Sequence, residues 1–177
     1  MNERWYVVLI AHGPDRGGLV ADLTAYVAAR DGNVEDSRMA VLGGQFSIMM
    51  LVSGSATTIA GLQAGAGEIE RRCGLHLTLI PTAAPSAAPG ARRLTVTVEA
   101  VDREGIVHVV AGCLRDQGGN IVDLDAKAYR APVSGSPLFR LAISVDVPHD
   151  AVQATREALA ALADAEELDV DVAEARG

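Results

Sequence analysis

The chain has 177 residues, of which 49% are hydrophobic, and a formal net charge of −8. This hydrophobic fraction is typical of a folded globular protein and excludes an intrinsically disordered chain. The sequence has no basic run, which argues against direct nucleic-acid binding because binding needs Lys and Arg to neutralise phosphates. With one Trp, three Tyr and two Phe, it also has too few aromatic residues for a base-stacking surface.

The sequence gives no sign of secretion, of membrane insertion or of a metal site. The N-terminal residues lack the pattern of a signal peptide, and no apolar stretch approaches the roughly 18 residues that a membrane helix needs. The two cysteines, Cys73 and Cys113, follow no metal-ligand spacing. We therefore expect a cytoplasmic protein without a metal or other cofactor and without a membrane partner.

An internal repeat predicts that the chain contains two copies of one module. The segment Pro14–Val20 returns as Val101–Val107, and Gly32–Val34 returns as Gly119–Ile121. Both pairs have the same shift of 87 residues. Two separate motifs in one register indicate a duplication and mark the positions that both copies keep.

The boundary between the modules is predicted from a change in composition. A Pro- and Ala-rich stretch at 82–92 is typical of a semi-extended linker. The first module is therefore placed at 1–81 and the second at 93–177. Modules of this size bury a small core, so each is expected to be stabilised by packing against the other module or against a second chain.

The first module begins with a continuous apolar run, which predicts a buried strand at Trp5–Ala11. A helix follows, with Asp15 as its N-cap and Gly32 as a left-handed residue at its end. The later elements are predicted as a strand at Asn33–Val41, a turn at Gly43–Gly44, a strand at Phe46–Val52, a helix opened by Thr57 or Thr58, and a strand at Leu75–Ile80. Three glycines inside the second helix each cost roughly 1 kcal/mol relative to Ala, which predicts that it is the softest element.

The second module follows the same order. Its elements are predicted as a strand at Leu94–Val98, a helix closed by Gly118–Gly119, strands at Asn120–Tyr129 and Leu138–Val147, a helix capped by Asp150, and a strand at Leu168–Val172. The order strand, helix, strand, strand, helix, strand is that of the split βαβ, ferredoxin-like fold. We therefore predict an α+β protein with two such modules in tandem, each with an antiparallel sheet and helices on one face.

The turn between the first strand and the first helix is the candidate ligand site of each module. Glycines let a ligand approach the backbone, and a helix N-terminus offers free N–H groups and partial positive charge to a carboxylate or phosphate. Arg16 could add a bidentate contact to a carboxylate. The candidate residues are His12, Gly13, Asp15, Arg16, Gly17, Gly18 and Leu19, with Asp102, Arg103, Gly105 and Ile106 in the second copy. The alternative is structural: Asp15 caps, Gly18 packs helix against sheet, and Arg16 is solvated.

Asn33 and Asn120 are the second pair of candidates, because each begins the second strand of its module. An amide side chain can offer a donor and an acceptor to the carboxylate and ammonium of an amino acid. The alternative is that each Asn only ends the preceding helix or ties down the turn.

The sequence predicts no catalytic residues and no enzyme. The histidines are isolated, and no nucleophile elbow, phosphate-binding loop or metal cluster is present. A remote alternative is an acylphosphatase-like hydrolase, in which Arg16 would bind the phosphate and Asn33 would orient a water; it rests on fold analogy alone.

Gly13–Val20 followed by Asp31–Val34 closely resembles the ACT domain, a regulatory module that binds amino acids, and Val101–Val107 with Gly118–Ile121 resembles a second one. Two such domains over nearly the whole chain resemble the glycine cleavage system transcriptional repressor family. The resemblance implies a small amino-acid ligand, glycine or similar, held where the first turn of one domain meets a strand of its neighbour. The contacts that it implies are Asp15, Gly18 and Leu19, with Asn33 or Asn120.

Two departures from the family pattern favour the first module as the ligand site. The family often has Pro between Arg and Gly, where this chain has Gly17 and Glu104. The Glu104 carboxylate next to a helix N-terminus disfavours a carboxylate ligand there.

The resemblance also implies action through a protein partner, which would be a DNA-binding transcription factor. The alternative is a regulatory or accessory subunit of an amino-acid-metabolising enzyme. Because the predicted sheets leave faces and edges exposed, we expect a homodimer.

Overall fold

The computed structural model describes residues 4–84 and 90–174. The chain divides into two compact units, Met1–Ser86 and Ala87–Gly177, called unit 1 and unit 2 below. Of the predicted linker at 82–92, residues 85–89 lie outside the described residues. No helix in the described part of the chain has both the length and the apolar composition needed to cross a bilayer.

Unit 1 has the predicted βαββαβ order. Its elements are β1 (Trp5–Pro14), α1 (Leu19–Ala28), β2 (Asn33–Leu42), β3 (Gln45–Gly54), α2 (Ala56–Cys73) and β4 (His76–Thr82). The four strands form an antiparallel sheet, sheet 1, in the order β2-β3-β1-β4. This is the ferredoxin-like arrangement, and the predicted fold class is confirmed.

Unit 2 repeats this arrangement. Its elements are β5 (Ala91–Val101), α3 (Ile106–Asp116), β6 (Asn120–Arg130), β7 (Pro137–Pro148), α4 (Val152–Glu166) and β8 (Asp169–Glu174), with a short 3₁₀ turn at His149–Ala151 before α4. Sheet 2 has the strand order β6-β7-β5-β8, again antiparallel. Each strand is paired as its counterpart in unit 1 is.

Strand alternation places one core in each unit, between the sheet and its helices. In β1, Val7, Leu9 and Ala11 are fully buried and pack with the buried residues of α1 and α2. Val8 and Ile10 point to the opposite side, since successive strand side chains alternate between faces. This side, away from the helices, is called the open face of its sheet. In β5, Leu94, Val96 and Val98 fill the core in the same way, and this core is built from unit 2 alone.

Three predicted helix starts are wrong, because α1 and α4 have no side-chain cap and α2 is capped by a different residue from those predicted. The N-cap of α1 is Gly18, and the cap of α4 is Ala151 after the 3₁₀ turn, so neither Asp15 nor Asp150 caps a helix. Helix α2 starts earlier than predicted, at Ala56, because Ser55 is its N-cap and accepts a hydrogen bond of 3.0 Å from the Thr58 amide.

The predicted left-handed residue after α1 is also wrong. Asp31 has the positive φ, 57°, at the position where unit 2 has Gly118 with φ 73°. Gly32 is required for space, since a Cβ there would lie 2.8 Å from Val27 Cγ1 and 3.1 Å from the Val27 carbonyl oxygen. The same holds in unit 2, where a Cβ on Gly119 would lie 2.8 Å from the carbonyl oxygen of Leu114.

Helix α2 is continuous despite its glycines, and Arg30 explains one of them. The Arg30 guanidinium donates to the carbonyl oxygens of Gly61 and Tyr26, each at 3.1 Å, and lies 4.2 Å from the centre of the Tyr26 ring. A Cβ on Gly65 would approach the guanidinium to 2.5 Å, whereas a Cβ on Gly67 would be 3.5 Å from its nearest neighbour, a flexible Arg71. Gly65 therefore makes room for Arg30.

We expect opposite effects on stability from alanine at these two positions. Gly67→Ala should raise the free energy of unfolding by about 0.5–1 kcal/mol through helix propensity. Gly65→Ala should gain the same propensity but displace Arg30 from two hydrogen bonds worth about 1 kcal/mol each, so the net change should be a loss of about 1–1.5 kcal/mol. Urea denaturation followed by the fluorescence of Trp5, the one Trp of the chain, reports on unit 1. Equal stabilisation by both variants would contradict the packing role of Gly65.

Candidate functional site

The two glycine turns start their helices in the same unusual way. Gly18 (φ 91°) and Gly105 (φ 89°) are the N-caps of α1 and α3, and neither helix has a side-chain cap. The first helical bond in each runs from the amide of Asp22 or Val109 to the carbonyl oxygen of the capping glycine. The preceding amides of the first turn are thus left for an anion to bind.

Leu19 and Ile106 follow these glycines, and only their backbones are available to a ligand. Both side chains are 2% exposed and belong to the cores of their units. Each side chain therefore anchors the start of its helix to the core, while its backbone amide remains part of the glycine turn. A Cβ on Gly18 would meet only Arg16 Nη1, at 3.8 Å, and a Cβ on Gly105 would meet nothing within 4 Å. The space in front of both turns is open.

Both turn arginines already have partners within their own unit. Arg16 donates to Asp22 Oδ2 at 2.8 Å and to the Gly17 carbonyl oxygen at 3.0 Å. Arg103 donates to Glu166, at 2.7 Å to the carboxylate and 3.0 Å to the carbonyl oxygen. The hydrogen bond from Arg16 lowers the pKa of Asp22. These pairs are exposed and individually weak, so a carboxylate ligand can compete for either guanidinium.

The other predicted turn residues have mainly structural contacts. The Asp15 amide donates to the Gly44 carbonyl oxygen at 3.0 Å, and the Asp102 amide donates to that of Pro137 at 3.1 Å. Gly13 lets β1 approach the start of β4, since a Cβ there would lie 2.9 Å from the Gly74 carbonyl oxygen. Gly17 has open space around it.

His12 lies outside the turn, on the open face of sheet 1. It pairs across the sheet with His76 of β4, with ring centres 5.4 Å apart. The sequence did not relate these two histidines, because the contact depends on the register between β1 and β4.

Asn33 belongs to a polar cluster that the sequence did not predict. Its amide donates to Glu35 Oε1 at 3.0 Å, and the same carboxylate accepts from the buried Ser53 hydroxyl and lies 3.5 Å from Arg4. Hydrogen bonds from Ser53 and, to a smaller extent, from Asn33 lower the pKa of Glu35. Glu35 is the extra residue of a β-bulge, and bulges re-aim side chains.

Asn120 has different surroundings from Asn33. It pairs in register with Asp146, which is held by Arg93 through two hydrogen bonds of 2.8 Å. Arg93 thereby lowers the pKa of Asp146. Asn120 and Asp146 line a cavity of about 300 Å³ together with residues around Gly118 and Pro148.

Within one unit, the glycine turn and the Asn lie at opposite ends of the sheet. Asn33 is in register with Ser53 and Tyr6, whereas the turn leaves β1 after Pro14. Eight strand residues separate these ends, or roughly 25 Å. A small amino acid therefore cannot contact both within one unit, and the acylphosphatase-like alternative, which needs Arg16 and Asn33 at one phosphate, has no support in unit 1.

The duplicated fold and the glycine-capped helix starts define the class of this protein. Residues 6–78 match the family model of the ACT domain, and unit 2 has the same topology. The chain therefore contains an ACT domain in unit 1, as predicted, followed by a second unit with the same topology. The class is a regulatory one, which confirms the predicted kind of function.

In sequence, the chain is similar to the glycine cleavage system transcriptional repressor. It is 26% identical to that of Escherichia coli (strain K12) over 157 residues, which are 89% of this chain and 83% of that protein, and equally similar to that of Shigella flexneri.

Two crystal structures share the fold over nearly the whole chain. An unknown protein from Galdieria sulphuraria is 31% identical with a TM-score of 0.86, covering 98% of this chain and 100% of that one. This chain belongs to the same family as that protein. A protein provisionally named glycine cleavage system transcriptional repressor has a TM-score of 0.72 at 23% identity, covering 98% and 99%.

Proposed function

We propose that this protein is a non-enzymatic sensor of a small amino acid, glycine or a close analogue, and that it acts by binding a protein partner. The observation that carries the proposal is the glycine-capped, side-chain-free start of α1, repeated at α3. Such a start offers backbone N–H groups and the positive end of the helix dipole to a carboxylate.

The proposed ligand contacts come from two ACT domains rather than one. The turn of one domain, with Asp15, Gly18 and the Leu19 amide, would hold the carboxylate. Asn33 or Asn120 of another ACT domain would contact the ammonium group. The distance between the glycine turn and the Asn within one unit supports a site built from two domains. The turn of the first module is the better site, because Glu104 adds negative charge to the turn of the second.

Ligand binding at a site shared between domains favours one arrangement of the domains over others, and a partner that prefers one arrangement is then coupled to the ligand. The similarity to a transcriptional repressor favours a transcription factor as the partner. The net charge of −8 also favours action through a DNA-binding protein over direct DNA binding.

A screen of the common amino acids by thermal shift and calorimetry tests the sensor proposal. Glycine or a small analogue at about 100 times its dissociation constant should stabilise the folded protein by about 2.7 kcal/mol. The stabilisation should depend on both the carboxylate and the ammonium group, so acetate and methylamine serve as controls. If none of the amino acids binds at millimolar concentration, the sensor proposal is wrong.

A second candidate is a regulatory subunit of an amino-acid-metabolising enzyme, which would use the same fold and ligand. Affinity purification from the native host distinguishes the two. Recovery of a transcription factor in a glycine-dependent manner supports the first, and recovery of an enzyme of amino-acid metabolism supports the second.

A further inference from the structure

The open faces of the two sheets differ sharply in character. On sheet 1, five of the six central positions of β1, β3 and β4 are apolar, and the sixth is Thr78: the apolar residues are Val8, Ile10, Met49, Leu51 and Ile80. Met49 and Ile80 are 50% and 46% exposed. The same register positions on sheet 2 are Thr95, Thr97, Ala142, Ser144 and Ala173. The two units keep one fold, so the apolar residues of sheet 1 are not needed to form such a sheet.

The open faces of the two sheets also differ in their charged residues. On the described strands of sheet 1, the charged side chains at the open face are Asp36 and Arg38, which form an ion pair of 2.7 Å with each other, and Glu35. The Glu35 carboxylate accepts hydrogen bonds from Asn33 and Ser53 at the edge of this face and lies 3.5 Å from Arg4. The open face of sheet 2 carries charges on all four strands, among them Asp123, Asp125, Lys127, Glu99, Arg140 and Asp171. A chain with net charge −8 repels a second copy. That repulsion is weaker at the open face of sheet 1, where each acidic residue has an arginine partner, than at the open face of sheet 2.

We propose that the open face of sheet 1 is the surface through which two copies of this chain associate. A two-fold contact places the same patch on both sides, so the neutral, apolar centre meets itself. The Asp36–Arg38 pair at the edge of this face is also compatible with self-association, because Asp36 of one copy can form an ion pair with Arg38 of the other. This inference does not depend on the proposed amino-acid site.

The size of the face is sufficient for such a contact. Four strands spaced about 4.8 Å apart, with four same-face positions along each, cover roughly 500 Å² per copy. Two copies would bury about 1,000 Å², which is the lower end of specific protein–protein interfaces. The expected association is therefore reversible and depends on concentration.

The test is the mass of the wild-type chain in solution, measured by sedimentation velocity from about 1 to 200 µM. We expect a shift from the monomer mass toward twice that mass. The double variant Ile10→Thr/Met49→Ala places on sheet 1 the side chains that unit 2 carries at those positions. It should raise the dissociation constant at least tenfold, while circular dichroism and the thermal midpoint show that the sheet is still formed.

A matched control changes the same register position on sheet 2. Thr97→Ala should leave the dissociation constant within twofold of wild type. If the double variant does not fold, Ile80→Ala and the concentration dependence of the Met49 methyl resonance in the wild-type chain supply the same information. A wild-type chain that stays monomeric at 200 µM, or a dimer that the variants do not weaken, overturns the proposal. Amino-acid binding by a monomeric variant would show that the sensor site stands independently.

Discussion

Gly18→Ala should weaken amino-acid binding at least tenfold, whereas Gly105→Ala should leave binding nearly unchanged. Both glycines have the same backbone conformation at a helix N-cap, with φ near 90°. An L-residue there costs about 1–2 kcal/mol, so both variants should lose similar stability. They should differ in binding, because the carboxylate is proposed to lie at the Gly18 turn, where an added methyl group would come within 3.8 Å of Arg16 Nη1.

The matched pair separates backbone strain from ligand contact. Calorimetric titration with the amino acid selected by the screen gives the affinity of each variant. Trp5 fluorescence, from unit 1, follows the strain in Gly18→Ala, and far-ultraviolet circular dichroism follows the strain in Gly105→Ala. Equal loss of affinity in both variants would show two equivalent sites and contradict the preference for the first. Unchanged affinity in Gly18→Ala would remove the helix start of α1 from the site.

The order of elements was predictable because it depends on local periodicity. The repeat of Asp15–Val20 at Asp102–Val107 fixed the relation between the two modules, and alternating or helical spacing of apolar residues placed each strand and helix within a few residues. Helix starts were harder to predict. A Ser, Thr or Asp near a start favours a side-chain cap, but Gly18 caps α1 with its backbone alone.

What the sequence could not show depends on register between distant strands. The β-bulge at Glu35 turns that carboxylate toward Asn33 and the buried Ser53, and no local pattern predicts a bulge. The pairing of His12 with His76 requires the alignment of β1 with β4. In the candidate site, the turn residues and the two Asn residues could be named from the sequence, and the predicted fold implies their separation, because β1 and β2 are parallel and the turn follows β1 whereas the Asn begins β2. The contacts of each Asn could not be predicted, because they depend on the register with β3 and β7.

Gly32→Ala should destabilise unit 1 by about 2–3 kcal/mol, although its backbone conformation is open to any residue. The added methyl group would lie 2.8 Å from Val27 Cγ1 and 3.3 Å from Val52 Cγ1, and both valines are in the closely packed core. Overpacking of this kind costs about 1–3 kcal/mol, and the Val27 carbonyl oxygen at 3.1 Å is backbone and cannot move aside easily.

The neighbouring substitution Asp31→Gly is the discriminating control, because Asp31 is the residue with φ 57°. Relief of the left-handed conformation, worth about 1 kcal/mol, is offset by the added freedom of glycine in the unfolded chain, also about 0.5–1 kcal/mol. Its stability should therefore stay within about 0.5 kcal/mol of wild type. Urea unfolding followed by Trp5 fluorescence measures both variants in unit 1, and Gly119→Ala should shift only the transition seen by circular dichroism. If Gly32 were the left-handed residue that the sequence predicts, Gly32→Ala would cost about 1–2 kcal/mol. A loss above about 2 kcal/mol therefore assigns the glycine of this motif to packing against the core.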